Sequence, residues 1–253
     1  MAAEVPDCEH VPLLSDGLTL AACLYRPIGA GGPAPAVLIV PGFASCKEHH
    51  ADFARAAAAA GFVALTLDLR GQGASEGCLD SRTVHDLHTA LAFLQADPQV
   101  DPDRVAVRGS SMGGCLALHA AARWSGFAAV VAVAPASEAL LAALLREIED
   151  PESPPGRRYR ANAGFPRVMG CDLGCWLEAH TLLEAVQHLA GRPLLLIHCA
   201  GDAEVPASIS GDLYAAAAEP KTFWLLPGGD HTFAQHDPAI TARALTWLRA
   251  QDS

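Results

Sequence analysis

Apolar residues along this chain come in short unbroken runs separated by segments of helical period. AVLIVPGF (36–43), FVALTLDL (62–69), RVAVRG (104–109), AAVVAVAP (128–135), PLLLIHCA (193–200) and TFWLLPG (222–228) are continuous rather than alternating. Such runs predict parallel strands buried on both faces, with helices covering the sheet. The intervening segments KEHHADFARAAAAA, TVHDLHTALAFLQ, CLALHAAARW, DLYAAAAE and PAITARALTWLRAQ supply those helices, the first with Ser45 as its N-cap and Gly61 as its stop. Ahead of them, HVPLL and LTLAACLYRP flank Ser15-Asp16-Gly17, and Asp-Gly is a hairpin turn signal. The predicted class is α/β: a mostly parallel, doubly wound sheet of about eight strands with helices on both faces and an N-terminal β-hairpin. One domain over 1–253 accommodates it.

The rhythm fails over about 137–190, which reads as irregular up to a late helical piece. It carries an acidic run (147–152), then SPPGRRYR and a Cys/Gly-rich patch. It is too long for a connection, so the expectation is a small cap insertion over a site.

Candidate chemistry sits where strands end. In RGSSMGG (108–114) only Ser111 has glycine two positions before and two after; around Ser110 the flanks are Arg108 and Met112. The G-x-S-x-G frame between a strand and a helix suits a nucleophile at a tight turn. Bulky residues at the flanking positions would clash, and the helix N-terminus offers N–H groups to a developing anion. A serine needs a base, and the base an orienting acid. The loop after PLLLIHCA provides Asp202, and the loop after the last apolar run provides His231. The order is serine, acid, histidine, each at the carboxyl end of a strand, where sites form in such sheets. Glu204 competes as the acid and His236 as the base. Asp230 adjoins His231 too closely to orient its ring, and His198 lies within a strand and is read as bonding locally.

Jointly, PGFASCKE (41–48), DLRGQGASEG (68–77), GSSMG (109–113), GDAEVP (201–206) and GGDH (228–231) make the chain resemble an α/β-hydrolase of the serine esterase type, close to small carboxylesterases and dienelactone-hydrolase or prolyl-oligopeptidase-like enzymes. The resemblance spans nearly the whole chain except 137–190. It implies Ser111 as nucleophile, Asp202 and His231 as its partners, and the backbone N–H groups of Phe43 and Met112 as an oxyanion hole. It implies hydrolysis of carboxylic esters without metal or organic cofactor; thioesters, lactones and short peptides share the acyl-serine route, and short-chain acyl esters are expected because a cap of this size leaves limited room. Where the family often has His-Gly, this chain has Pro41-Gly42, which leaves the Phe43 donor in place. The 68–73 turn is read as structural.

Composition narrows the setting. Of 253 residues 51% are hydrophobic and 18% charged, an ordinary globular balance. A net charge of −11 argues against a nucleic-acid partner. No apolar run approaches the ~18 residues of a membrane span, and the acidic N-terminus does not read as a secretory signal. The expectation is a cytoplasmic monomer or homodimer acting on a small-molecule ester. Among eight cysteines, Cys23, Cys115 and Cys199 are read as small apolar fillers, and the Cys171/Cys175 spacing does not fit zinc. Trp176 and Leu177, or the basic group Arg157, Arg158 and Arg160, are candidates for lining a substrate pocket, with cap packing and a solvated loop as their plainer readings. Two rivals remain: a dinucleotide loop at Gly71, Gly73 and Gly77 with Arg108 on a cofactor phosphate, and a hydrolase-fold binding protein without catalysis.

Overall fold

A computed structural model describes residues 8–29, 32–150, 152–161, 166–168 and 170–251. Its centre is one sheet of eight strands in the order β1-β2-β4-β3-β5-β6-β7-β8. Strands β1 (Glu9–Ser15) and β2 (Leu18–Tyr25) form the expected hairpin, and β2 is also antiparallel to β4 (Val63–Leu67). Strands β3 (Ala34–Val40), β5 (Val100–Ser110), β6 (Ala129–Val133), β7 (Leu194–Cys199) and β8 (Lys221–Leu226) continue the sheet in parallel from β4.

Burial follows position in the sheet. Every residue of β4, β6 and β7 is buried, so their continuous apolar runs mean what the pattern predicts. Strand β8 differs: it is only half-buried, because it forms the sheet edge. Strand β3 stops at Val40 rather than at Phe43, which puts Pro41, Gly42 and Phe43 in the loop beyond it.

Helices cover both faces. One face carries α1 (Ala51–Ala59) and the last helix, Pro238–Arg249, which belong to one apolar cluster with Val37, Ile39 and Ile197. The other carries α2 (Thr83–Ala96) and α3 (Met112–Arg123), packed with Leu38, Leu65 and Leu196. The 3-10 turn Lys47–His50 precedes α1, so Ser45 is not an N-cap. Its hydroxyl lies 3.2 Å from His49 Nδ1 and 3.4 Å from His50 Nε2 instead.

Between β6 and β7 the chain forms α4 (Glu138–Glu149), α5 (Pro154–Ala161), α6 (Gly170–Ala179) and α7 (Leu182–Gln187). The irregular reading of the first part of this segment is therefore corrected. Ser137 accepts a hydrogen bond from Leu140 N–H as the α4 cap, and Leu141, Ala142 and Leu145 form its buried stripe. An Arg146–Glu178 ion pair ties α4 to α6. Arg167 N–H donates to Gly71 O at 2.9 Å and Leu79 N–H to Arg167 O at 2.8 Å, docking the segment on the loop after β4. After β7 come α8 (Ser208–Ala216), α9 (Phe233–His236) and α10 (Pro238–Arg249), the last capped by Asp237.

Cys23 is also corrected: it is joined to Cys8 in a disulfide, with His10 Nδ1 3.4 Å from its sulfur. His10 faces Cys23 across the β1–β2 ladder, and Cys8, two residues earlier, points to the same side. Cys115 and Cys199 are buried thiols, as read. The side chains of Arg158, Arg160 and Cys171, and residues 1–7, lie outside the described part. Arg157 is exposed and sits 3.4 Å from Glu152. Among the described residues, no helix is long and apolar enough to cross a membrane.

Candidate active site

Ser111 occupies the apex between β5 and α3 with φ 54° and ψ −121°, a left-handed conformation that a non-glycine residue holds only under constraint. The constraints are visible. Ser111 N–H donates to Val133 O at 3.0 Å, and Ser111 O accepts from Cys115 and Ala136 N–H at 3.1 Å each. A Cβ added at Gly109 would lie 2.0 Å from Gly113 O, and one at Gly113 would lie 2.4 Å from Pro41 O. Both flanking glycines are thus demanded by close backbone approach. Met112 opens α3 at its first position, where a backbone N–H has no partner within the helix.

Asp202 and His231 meet beyond β7 and β8. His231 Nδ1–H donates to Asp202 Oδ2 at 2.7 Å, which leaves Nε2 as the basic nitrogen of the neutral ring. Asp202 Oδ1 accepts from Glu204 and Val205 N–H at 2.9 Å each. Burial pushes the Asp202 carboxyl up, but the bonds from Val205, His231 and Glu204 outweigh it and hold the group below its ordinary value. Among the described residues no hydrogen bond reaches Ser111 Oγ; catalytic contacts in unliganded sites are commonly long.

The competitors have other work. Glu204 is exposed and reaches Asp202 through its backbone only. Asp230 accepts from Thr232 and Phe233 N–H at the start of α9. His236 stacks against His50, with ring centroids 5.9 Å apart. The glycines of the 71–77 loop are turned to internal packing: a Cβ at Gly73 would lie 2.2 Å from Asp68 Oδ2, and one at Gly71 would lie 2.5 Å from Arg167 O. Arg108 is fully buried and donates to Gln235 O at 3.0 Å, far from the role a cofactor phosphate would give it.

Four further residues tie the site together, and the sequence pattern did not single them out for it. Gln235 Nε2 donates to His231 O at 2.9 Å, so Arg108, Gln235 and His231 form a chain. His198 Nε2–H donates to Val205 O at 2.9 Å and lies 3.4 Å from Asp202 Oδ2, while Nδ1 accepts from Ser210 at 2.7 Å. Gln72 bonds both Gly42 O and Ala44 N–H, on either side of Phe43. Arg108 and Gln72 act across the fold, whereas Gln235 and His198 reach the site from four to seven positions away, without a motif to mark them.

Next to Phe43 and Met112 lies a narrow apolar cavity, closed by Leu116 of α3 and by Leu145, Leu173 and Leu177 from α4 and α6. It has room for about one water molecule. Trp176 and Leu177 part company here. Leu177 faces this cavity, whereas Trp176 lines a separate groove, stacked on His180 at 4.7 Å and edge-on to His119 at 4.9 Å. A wide groove lies between α1 and α10 on the other face of the sheet, lined by polar and apolar residues that include His50, Ala56, His236 and Arg249, and it includes neither Ser111 nor His231.

Comparison with known proteins agrees with this architecture. The model of the serine aminopeptidase family, S33, matches residues 31–148. An uncharacterized protein of Mycobacterium tuberculosis is 30% identical over 232 residues, which cover 89% of this chain and 71% of that protein. The crystal structure of a hypothetical protein from Pseudomonas aeruginosa matches with a TM-score of 0.80 at 23% identity, over 99% of this chain and 95% of that one. The esterase domain of a Rhodothermus marinus protein matches with a TM-score of 0.73 at 25% identity, over 96% and 97%. With its eight-stranded, mostly parallel sheet and these relatives, the chain belongs to the α/β-hydrolase family.

Proposed function

We propose that the protein is a serine hydrolase that cleaves carboxylic esters with short acyl groups. The observation that carries this reading is the constrained Ser111 at the head of α3, with a buried Asp202–His231 pair at the ends of the two strands beyond β6. Ser111 Oγ attacks the ester carbonyl while His231 Nε2 takes its proton, and Asp202 holds the ring in the required tautomer. The Phe43 and Met112 N–H groups receive the carbonyl oxygen as it becomes an oxyanion. The alcohol leaves with the proton from His231; water then attacks the acyl-serine by the same route and releases the acid. No metal or organic cofactor enters these steps.

The segment 138–187 acts in this reading as a cap whose leucines bound the acyl site. The cavity beside Phe43 and Met112 is apolar and nearly closed, so an acyl group enters it only as these leucines move apart, and a chain of a few carbons demands the least of that movement. Turnover of p-nitrophenyl esters of increasing acyl length, with Ser111→Ala as control, tests both points. The expected result is a maximum at about two to four carbons, the chains that need the least opening of the cavity, and loss of turnover by about 10⁴-fold or more in Ser111→Ala. A maximum at long chains would sink the short-acyl assignment. Failure of a fluorophosphonate to label Ser111 in folded protein would favour a non-catalytic binding role. A thioester and a lactone run in parallel report which acyl donor is preferred, since all three pass through the same intermediate.

A further inference from the structure

We propose that Gln72 is a positioning residue that fixes the direction of the Phe43 N–H, one of the two oxyanion donors. This rests on the acyl-serine reading above and adds to it a residue of the turn after β4. Gln72 is only 1% exposed. Its side-chain amide spans the loop after β3: Nε2 donates to Gly42 O at 3.2 Å, and Oε1 accepts from Ala44 N–H at 2.7 Å. The assignment of the two ends follows from the partners, because an N–H can face only the oxygen and a carbonyl only the NH₂.

The consequence lies in the peptide unit itself. Gly42 C=O and Phe43 N–H belong to one planar trans amide and point in opposite directions. Holding the oxygen on Gln72 therefore turns the N–H the other way. Gly42 lies against the nucleophile: a Cβ placed on it would be 3.3 Å from Ser111 Cβ and 3.9 Å from Ser111 Oγ. The donor is thus presented beside Ser111 as long as the amide keeps this orientation. The loop does not keep it for free. Ala44 has φ 56°, a left-handed conformation for a residue with a Cβ, and the 2.7 Å bond from its N–H to Gln72 is what the loop gains in return. Ser45 N–H, at 3.3 Å, is the other donor on Gly42 O.

Gln72 has the rigidity the role needs. Its N–H donates to Leu69 O at 2.9 Å and its C=O accepts from Ser75 N–H at 3.0 Å. Neighbouring bonds join the same two loops independently: Asp68 accepts from Lys47 N–H at 2.7 Å, Lys47 Nζ at 2.8 Å and Ala74 N–H at 2.9 Å. Attachment of the loops is therefore Asp68's work, which leaves Gln72 the orientation of one amide.

Gln72→Glu separates the two roles. The carboxylate has the same shape and still accepts from Ala44 N–H, but it cannot donate to Gly42 O and repels it. The reversed amide, with Phe43 N–H turned toward the carboxylate, becomes the favoured one. Gln72→Met, which removes both bonds at similar volume, is the second variant. Both are compared with wild type in p-nitrophenyl acetate hydrolysis, with active sites counted by fluorophosphonate incorporation at completion so that only folded enzyme is scored. A trifluoromethyl ketone serves as probe: Ser111 adds to its carbonyl, the proton passes to His231, and the resulting oxyanion occupies the donor site.

For Gln72→Glu the expected result is a fall in kcat of about 10²-fold, KM within about threefold, and a loss of ketone affinity matching the loss in kcat/KM. Gln72→Met falls between it and wild type. Gln72→Glu turnover and ketone affinity within about threefold of wild type, in enzyme whose Ser111 is labelled normally, overturn the positioning role and leave the acyl-serine reading standing. A loss confined to KM, or one that disappears after active-site counting, also overturns it. Absence of labelling in wild type overturns both readings.

Discussion

Ser111, Asp202 and His231 are legible in the sequence because each obeys a local rule. A glycine frame selects one serine of two, and strand ends place an acid and a histidine in order. The contacts that hold them obey no such rule. Arg108 meets Gln235 across 127 positions and only folding brings it there, while Gln235 and His198 sit four and seven positions from their partners in no recognisable motif. The Asp202–His231 bond makes a sharp prediction. In Asp202→Asn, Oδ1 can keep its two backbone donors while the amide NH₂ faces His231, so Nδ1 must become the acceptor and the proton moves to Nε2. That nitrogen can then no longer take the Ser111 proton. Turnover of p-nitrophenyl acetate should fall on the order of 10³–10⁴-fold with KM little changed. Turnover within tenfold of wild type would separate Asp202 from the mechanism.

At the scale of elements, strands and core helices follow their periodicity, and most deviations have a local cause. Strand β3 ends where Pro41 brings a residue without an N–H. The helix α4 carried a readable start in Ser137 and a leucine stripe, but the acidic run behind it disguised the segment as a loop. The Cys8–Cys23 pairing was hidden because strand register, not spacing, joins them. Helix α6 contributes a second prediction. Leu177 is buried against the apolar cavity, so Leu177→Ala should shift the best p-nitrophenyl ester by about two or more carbons toward longer chains, the truncation removing three carbons of wall. It should also cost about 2–4 kcal/mol of stability, read from urea unfolding. An unchanged chain-length optimum in the folded variant would place the acyl site elsewhere.

For the whole molecule, buried histidines set the response to acid. Burial, with the Arg108 charge beside it, presses His50 down to about 2, and burial presses His119 down to about 4. His119 Nε2 is moreover a buried polar atom with no hydrogen-bond partner among the described residues. Below about pH 6.5 the unfolded chain binds protons at both positions while the folded chain does not, so stability falls as pH falls. The loss continues toward each folded-state value and amounts to about 1.4 kcal/mol per pH unit per histidine. Between pH 6.5 and 5 the two should remove roughly 3 kcal/mol, followed by urea unfolding. His50→Gln and His119→Phe should each reduce the slope by about one proton. A double variant with the wild-type slope would show that other groups govern acid sensitivity.

The helices between β6 and β7 are one uninterrupted length of chain, yet Ser111 precedes them and Asp202 and His231 follow. The helices leave β6 at its carboxyl end, after Val133, and re-enter the sheet at the amino end of β7, where Leu194 pairs with Val130. Their mooring to the loop after β4 uses the backbone of Arg167 and also its guanidinium, which donates to Gly77 O at 2.7 Å and to Ser75 O. An exchange of that length that keeps an arginine at this mooring, by recombination in nature or by a cassette in the laboratory, replaces Leu145, Leu173 and Leu177 of the cavity beside Phe43 and Met112 in a single event. The sheet keeps its register, and Ser111, Asp202 and His231 all lie outside the exchanged length.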